Sequence, residues 1–429
     1  MNKYLRVKWF SILICVSLMF GLLISPVSAM HLATSAFDGD GLMTVSPTSN
    51  VTYGIAVPLL TFTFSANHDF GATSQVSLSI PSDWSAPTTA AGAGHIAWSA
   101  GTCTLNGAPP VAISGKDILI DITSCTTGSS FTITYANAIP GPPGTDTFLT
   151  QTDIGTGGGG LTLISAGSPS LTVDPKPLTV SAAGLTPSNK IYDGLTPTSL
   201  TIGAPTLVGI VSPDVVTLVT SAAAADFSNP NAGTGKLVNI SGLTLGGTNA
   251  SNYSIVQPTR SANITKRPIT FTAVTDSKTY DGNTTSIVIP SITSGALQYN
   301  DTADVNQIYD NRNVGTTKVL TPVVLIHDGN NGLNYTVTVH TVSTGVINKL
   351  SIMVNAVTDT KFYDGGVSSN KAPFISPSLA GSDTSGFTQT YNNKSVGVNK
   401  TLTVAGKVND GNNGANYTVE LSATRKTGG

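Results

Sequence analysis

Five histidines, three cysteines, one Gly-rich loop, two loops rich in Asp and Asn, and a tryptophan between prolines are the residues from which chemistry could be built. The histidines are His31, His68, His95, His327 and His340. They share no motif, and no His-Glu-X-X-His, Cys-X-X-Cys or Gly-X-Ser-X-Gly occurs. The expectation is therefore no catalytic residue and no metal centre. The run Gly155–Gly160 would need a Gly-Lys-Ser/Thr ending and a following helix to cradle phosphate. It leads instead into Leu161-Thr-Leu-Ile, a strand pattern. Asp328, Asn330 and Asn331, and again Asp410, Asn412 and Asn413, offer oxygens to Ca²⁺. One carboxylate per loop is thin for a hard cation, so no cofactor is expected. Trp84, in Pro-Ser-Asp-Trp-Ser-Ala-Pro, reads as a loop residue over the end of a sandwich and as a candidate ligand contact, a platform for sugar. Cys103 and Cys125 are candidates for a disulfide in an exported chain.

A stronger signal is repetition. Tyr-Asp-Gly stands at Tyr192-Asp193-Gly194, Tyr280-Asp281-Gly282 and Tyr363-Asp364-Gly365, each two residues after a Lys: Lys190, Lys278 and Lys361. A Gly-X-X-Lys step follows from Gly233, Gly315 and Gly397, and then an Asn-Tyr pair: Asn252-Tyr253, Asn334-Tyr335 and Asn416-Tyr417. The last two kinds of landmark recur at a step of 82 residues. Asp-Gly suits a tight turn: Gly takes positive φ and Asp bonds nearby amides. The Tyr ring is expected to be buried beside that turn, its hydroxyl on a backbone partner. Repetition favours a structural or binding role over one active site.

These side chains need a scaffold, and composition indicates its class. Only 10% of the 429 residues are charged, the formal net charge is −2, and 40% are hydrophobic. No basic patch suggests nucleic acid. Thr, Val, Ile and Tyr punctuated by Gly and Pro read as all-β. Lys3, Arg6 and Lys8, the apolar run Trp9–Ile24 and Pro26-Val-Ser-Ala29 read as a signal peptide over residues 1–29, with an uncleaved anchor as the rival. Residues 30–173 alternate in Leu60/Phe62/Phe64, Val76/Leu78/Ile80, Ile118/Ile120/Ile122 and Phe131/Ile133/Tyr135. That period of two predicts an immunoglobulin-like β-sandwich. Three tandem β-rich repeats follow at 176–265, 266–347 and 348–429. Short joints between them predict an elongated rod of order 100 Å. The third repeat ends where its exit strand should form, so it reads as truncated or completed by a neighbour. Asn-X-Ser/Thr triplets begin at Asn249, Asn263, Asn283 and Asn416.

The order Lys-X-Tyr-Asp-Gly, Gly-X-X-Lys, Asn-Tyr resembles the Tyr-Asp-Gly (YDG) repeat family of filamentous haemagglutinin-like bacterial surface adhesins, over about residues 176–429. The resemblance implies an extracellular β-rich module, β-grasp-like or sandwich, used as a stalk or adhesive unit and without catalytic residues. The expectation is a secreted or cell-surface, non-enzymatic adhesin whose partners are surface proteins, glycans or matrix, not nucleic acid. A carbohydrate- or matrix-binding protein and a surface-layer or filament subunit are the alternatives. No transmembrane span is expected in the mature chain.

Overall fold

The computed structural model describes residues 39–155, 160–422 and 425–426. The signal-peptide segment, His31 and most of the Gly155–Gly160 run lie outside them. The described chain is all-β, with one three-residue 3-10 turn at Ala250–Asn252. It divides into two compact units, up to Asp174 and from Pro175.

In the first unit, the alternating sequences form strands whose apolar side chains face one core. Val57–Ser65 lies between Leu42–Ser46 and Ser130–Ala138, and His95–Ser99 completes an antiparallel four-stranded sheet. Phe64 stands opposite Met43 on one side and Phe131 on the other. A second sheet pairs Ser74–Ser79 with Asp117–Ser124 and Thr150–Asp153. Its Val76, Leu78, Ile118 and Ile120 join Leu60, Phe62, Phe64 and Ile133 in one hydrophobic cluster, while Thr and Ser occupy the alternate positions. Thr162–Leu163 adds a two-residue strand after the Gly-rich run. Cys103 and Cys125 are joined by a disulfide.

Trp84 corrects the sequence expectation. It does sit in a turn, but it is 2% exposed. Its ring packs edge-on against Phe148 at 5.1 Å between centroids, and its Nε1 donates to Asp146 Oδ2 at 2.6 Å. A buried indole with its N–H engaged offers no platform to a sugar. Trp98 lies in the strand His95–Ser99.

The second unit repeats one topology. Each repeat begins with a strand, Lys176–Val180, Arg267–Thr272 or Leu350–Asn355, that pairs in parallel with the strand opened by the Asn-Tyr tyrosine. The registers coincide: Lys176 opposite Tyr253, Arg267 opposite Tyr335, Leu350 opposite Tyr417. The strand carrying Lys190 or Lys278 pairs in parallel with the exit strand, at Ile264 and Ile347. The Gly-X-X-Lys step is a register shift between Gly233 and Lys236 and between Gly315 and Lys318, where the long central strand meets the exit strand. Such a shift twists the strand and re-aims its side chains. In the third repeat, Arg425–Lys426 pairs with Thr401–Leu402, as the exit strands of the first two repeats pair with their central strands.

The hydrophobic clusters do not respect repeat boundaries. Tyr192, Phe227, Val238, Ile240 and Ile264 of repeat 1 share a cluster with Ile269, Phe271, Ile326 and Tyr335 of repeat 2. Tyr280, Tyr309, Leu320 and Ile347 of repeat 2 share another with Ile352, Val354, Phe387, Leu402 and Tyr417 of repeat 3. Neighbouring repeats therefore complete each other's apolar cores.

Candidate functional site

The Lys-X-Tyr-Asp-Gly turn is built locally and identically three times. Asp193, Asp281 and Asp364 each accept the amide of the residue two further on, from Leu195, Asn283 and Gly366, at 3.0, 3.1 and 2.9 Å. Gly194, Gly282 and Gly365 have φ of 79°, 81° and 77°, the left-handed region that a Cβ disfavours. The Lys ammonium folds back 2.8 Å from the Asp carboxylate in every copy. It also caps carbonyls of the turn, Leu195 and Pro197 in the first and Asn283 and Thr285 in the second. Beneath it lies an aromatic ring, Phe227, Tyr309 or Tyr391, at 5.9, 5.2 and 5.6 Å from the nitrogen. The lysine is thus a structural cation that closes the turn.

The tyrosine of the turn reaches out of its own repeat. Tyr192 donates to Asp301 Oδ2 in repeat 2 at 3.0 Å, and Tyr280 donates to Asp383 Oδ2 in repeat 3 at 2.8 Å. The same carboxylate oxygen accepts the hydroxyl of the Asn-Tyr tyrosine of its own repeat: Tyr335 at 2.6 Å and Tyr417 at 2.8 Å. Those hydroxyls accept a backbone amide in turn, from Gln298 at 2.7 Å and Ala380 at 2.9 Å. The two rings at each joint meet edge-on, with centroids 5.4 Å apart. The expected backbone partner for the Tyr-Asp-Gly hydroxyl is therefore corrected. It is a carboxylate of the next repeat, which binds an O–H more strongly than a carbonyl does.

A second contact runs beside the first. Asn334 Oδ1 accepts the amide of Ala232 at 2.8 Å, and Asn416 Oδ1 accepts that of Val314 at 3.0 Å. Their Nδ2 atoms donate to Asn231 and Asn313, also across the joint. At the second joint Arg312 adds a bond from Nη2 to the Asp410 carbonyl at 2.7 Å. The same Nη2 is 3.0 Å from Asp383 Oδ1, an ion pair without hydrogen-bond alignment. Asn334 and Asn416 are thus joint residues. Asn416 is fully buried, which removes it as a glycan acceptor.

Electrostatics follow from burial beside a carboxylate. Burial first, and then the Asp301 or Asp383 hydrogen bond and charge, push the Tyr192 and Tyr280 hydroxyls up to about 12. Tyr335 and Tyr417 are raised as well, chiefly by burial. The Asp328 and Asp410 loops are not arranged around a cation. Each aspartate takes amides from residues two and four ahead on Oδ1 and from residue six ahead on Oδ2. Burial raises these two carboxyls, but the three amides outweigh it and hold both below the ordinary carboxylate value. No cluster of three or more metal-ligating side chains occurs among the described residues.

The third turn differs in its surroundings. Tyr192 and Tyr280 are each 2% exposed, whereas Tyr363 is 65% exposed, against the expectation of a buried ring. Sequence reasoning found the tyrosines and asparagines but missed Asp301 and Asp383. They lie 82 residues apart, the step of the other landmarks. In repeat 1, Asp214 holds Tyr253 in the same way, at 2.7 Å, and the amide of Val211 donates to that hydroxyl.

Among the described residues no helix is long and apolar enough to cross a membrane. A search of curated proteins found no match. The YDG domain family matches at residues 174–262, 265–344 and 348–426, within a few residues of the repeats read from the sequence. These matches span more than half of the chain, and the protein belongs to the YDG domain family.

Proposed function

We propose that the chain is an exported surface protein of the adhesin or stalk kind, in which the YDG modules act as a non-catalytic spacer. One observation carries this reading. Both joints between modules use the same Tyr–Asp–Tyr lock and the same Asn-to-amide bond, so the angle and step from module to module are set by buried, directional contacts. Fixed steps between like modules suit a rod that holds something at a distance. At the two inner joints the recurring tyrosines and asparagines are engaged in these bonds, which supports a structural role for them. The first unit, whose three sheets share one core, reads as an immunoglobulin-like sandwich that the modules would present. The basic, apolar and small-residue succession at the N-terminus supports export.

Small-angle scattering tests the spacer. A compact globule of this length has a radius of gyration of about 22 Å, whereas three modules in line give a value above about 30 Å. A result near the globular value ends the reading. Protease shaving of intact cells tests location: the chain should be cut without lysis, and protection from the protease argues against a surface site.

A further inference from the structure

The two inner joints define two complementary faces on a YDG module. The leading face presents the Asp carboxylate with its Tyr, and the Asn carboxamide: Asp301, Tyr335 and Asn334 in repeat 2, and Asp383, Tyr417 and Asn416 in repeat 3. The trailing face presents the Tyr-Asp-Gly turn and the turn before the Gly-X-X-Lys step. Repeat 3 carries both turns of a trailing face, with Ser395 in the place of Asn231 and Asn313. Its Lys361 closes the turn on Asp364 as in the other copies, and Gly365 has the same left-handed φ. The local fold is therefore already set.

Three measurements show what this third face lacks. Tyr363 is 65% exposed where Tyr192 and Tyr280 are 2% exposed. Val396, in the place of Ala232 and Val314, is 85% exposed, and Phe362 beside the tyrosine is 99% exposed. A Cβ added at Gly194 would lie 2.6 Å from Tyr299 Cβ, and one at Gly282 would lie 3.0 Å from Gly381, both in the following repeat. At Gly365 it would meet nothing within 4 Å. Between the two turns of repeat 3 lies a cavity of about 310 Å³, bordered by Tyr363, Asp364, Val396 and Lys400.

We propose that this face of repeat 3 is a preformed socket for the leading face of a further YDG module. The partner it fits would place an aspartate carboxylate on the Tyr363 hydroxyl, an asparagine carboxamide on the Val396 amide, and the residue two before that aspartate against Gly365, as Tyr299 and Gly381 stand at the inner joints. The inference rests on the geometry of the two inner joints, and it stands or falls independently of the spacer reading.

Two full-length variants test it. In the first, residues 278–283 and 310–318 are replaced by residues 361–366 and 392–400, which have the same lengths, so that repeat 3's trailing face meets a known leading face. The proposal expects the tyrosine at position 280 to resist nitration and the thermal midpoint to stay within about 5 °C of the parent. A chimera that nitrates there as readily as Tyr363 does in the parent, or that fails to fold, overturns the proposal. In the second, the chain is extended after Gly429 by a copy of residues 265–347. Tyr363 should then fall from its 65% exposure towards the 2% of its counterparts, read as loss of nitration at that residue. Exchanging the added copy's counterparts of Asp301 and Tyr335 for alanine should restore nitration. Equal nitration of Tyr363 with and without that exchange, in a chain whose added strands show in circular dichroism, rejects the socket.

Discussion

Replacing Asp383 with alanine removes the centre of the second joint. Its Oδ2 accepts two hydroxyls at 2.8 Å each, and its side chain is 1% exposed. A hydrogen bond to a charged group contributes about 1.5–3 kcal/mol, so two contribute about 3–6 kcal/mol. Arg312, 30% exposed at its side chain, adds at most about 1 kcal/mol, because solvent screens it. Removing a buried charge also returns part of its desolvation cost. The net expectation for Asp383→Ala is about 3–5 kcal/mol, a fall of about 6–15 °C in the midpoint of the second unit. Scanning calorimetry reads that midpoint, and amide exchange at Val314 reports the joint directly. The chain has two compact units, so the transitions are compared one by one. Asp304→Ala is the control. That carboxylate, 78% exposed at its side chain, pairs only with His327 at the surface and should cost less than about 0.5 kcal/mol. If the two variants lose the same stability, the joint is not held by its carboxylate and the argument fails.

Alanine at Gly282 should cost markedly more than at Gly365. Both pay about 1 kcal/mol for positive φ, but only the first presses on the next repeat; equal denaturation midpoints would refute the close approach. The raised Tyr192 and Tyr280 hydroxyls favour the protonated fold, so their contribution is whole below about pH 10 and is lost as pH rises towards about 12; melting scans over that range should show the second unit weakening. Asp328 and Asp410, held below the ordinary carboxylate value, contribute stability above about pH 4 that is lost as pH falls through their lowered values, and Asp410→Asn should flatten that acid limb. Reduction of Cys103–Cys125, which are 22 residues apart, should lower only the first unit's transition, by about 3 kcal/mol.

What could be read from the sequence was what is local. The Asp-Gly turns depend on bonds between residues two apart and on a glycine φ, and the alternating strands of the first unit depend on a period of two. The use of the tyrosines was not legible. Tyr192 and its acceptor are 109 residues apart, and Tyr280 and its acceptor 103. Asp301 and Asp383 keep the 82-residue step, but Asp214 does not. It stands 38 residues before Asn252, whereas Asp301 stands 33 before Asn334, and that break hides the set. Trp84 misled because its partner Asp146 comes from 62 residues further on, and a Pro-flanked turn looks like surface until that strand is in place. Tyr363 misled for the opposite reason. Its motif is intact, but what buries its counterparts is the following module.

Because each joint is made from residues at matching places in every module, the boundary between modules is also the natural seam for genetic exchange. Loss or duplication of a whole 82-residue step would leave a tyrosine facing an aspartate at the new junction. A lineage could therefore lengthen or shorten this protein in whole modules without inventing a new contact.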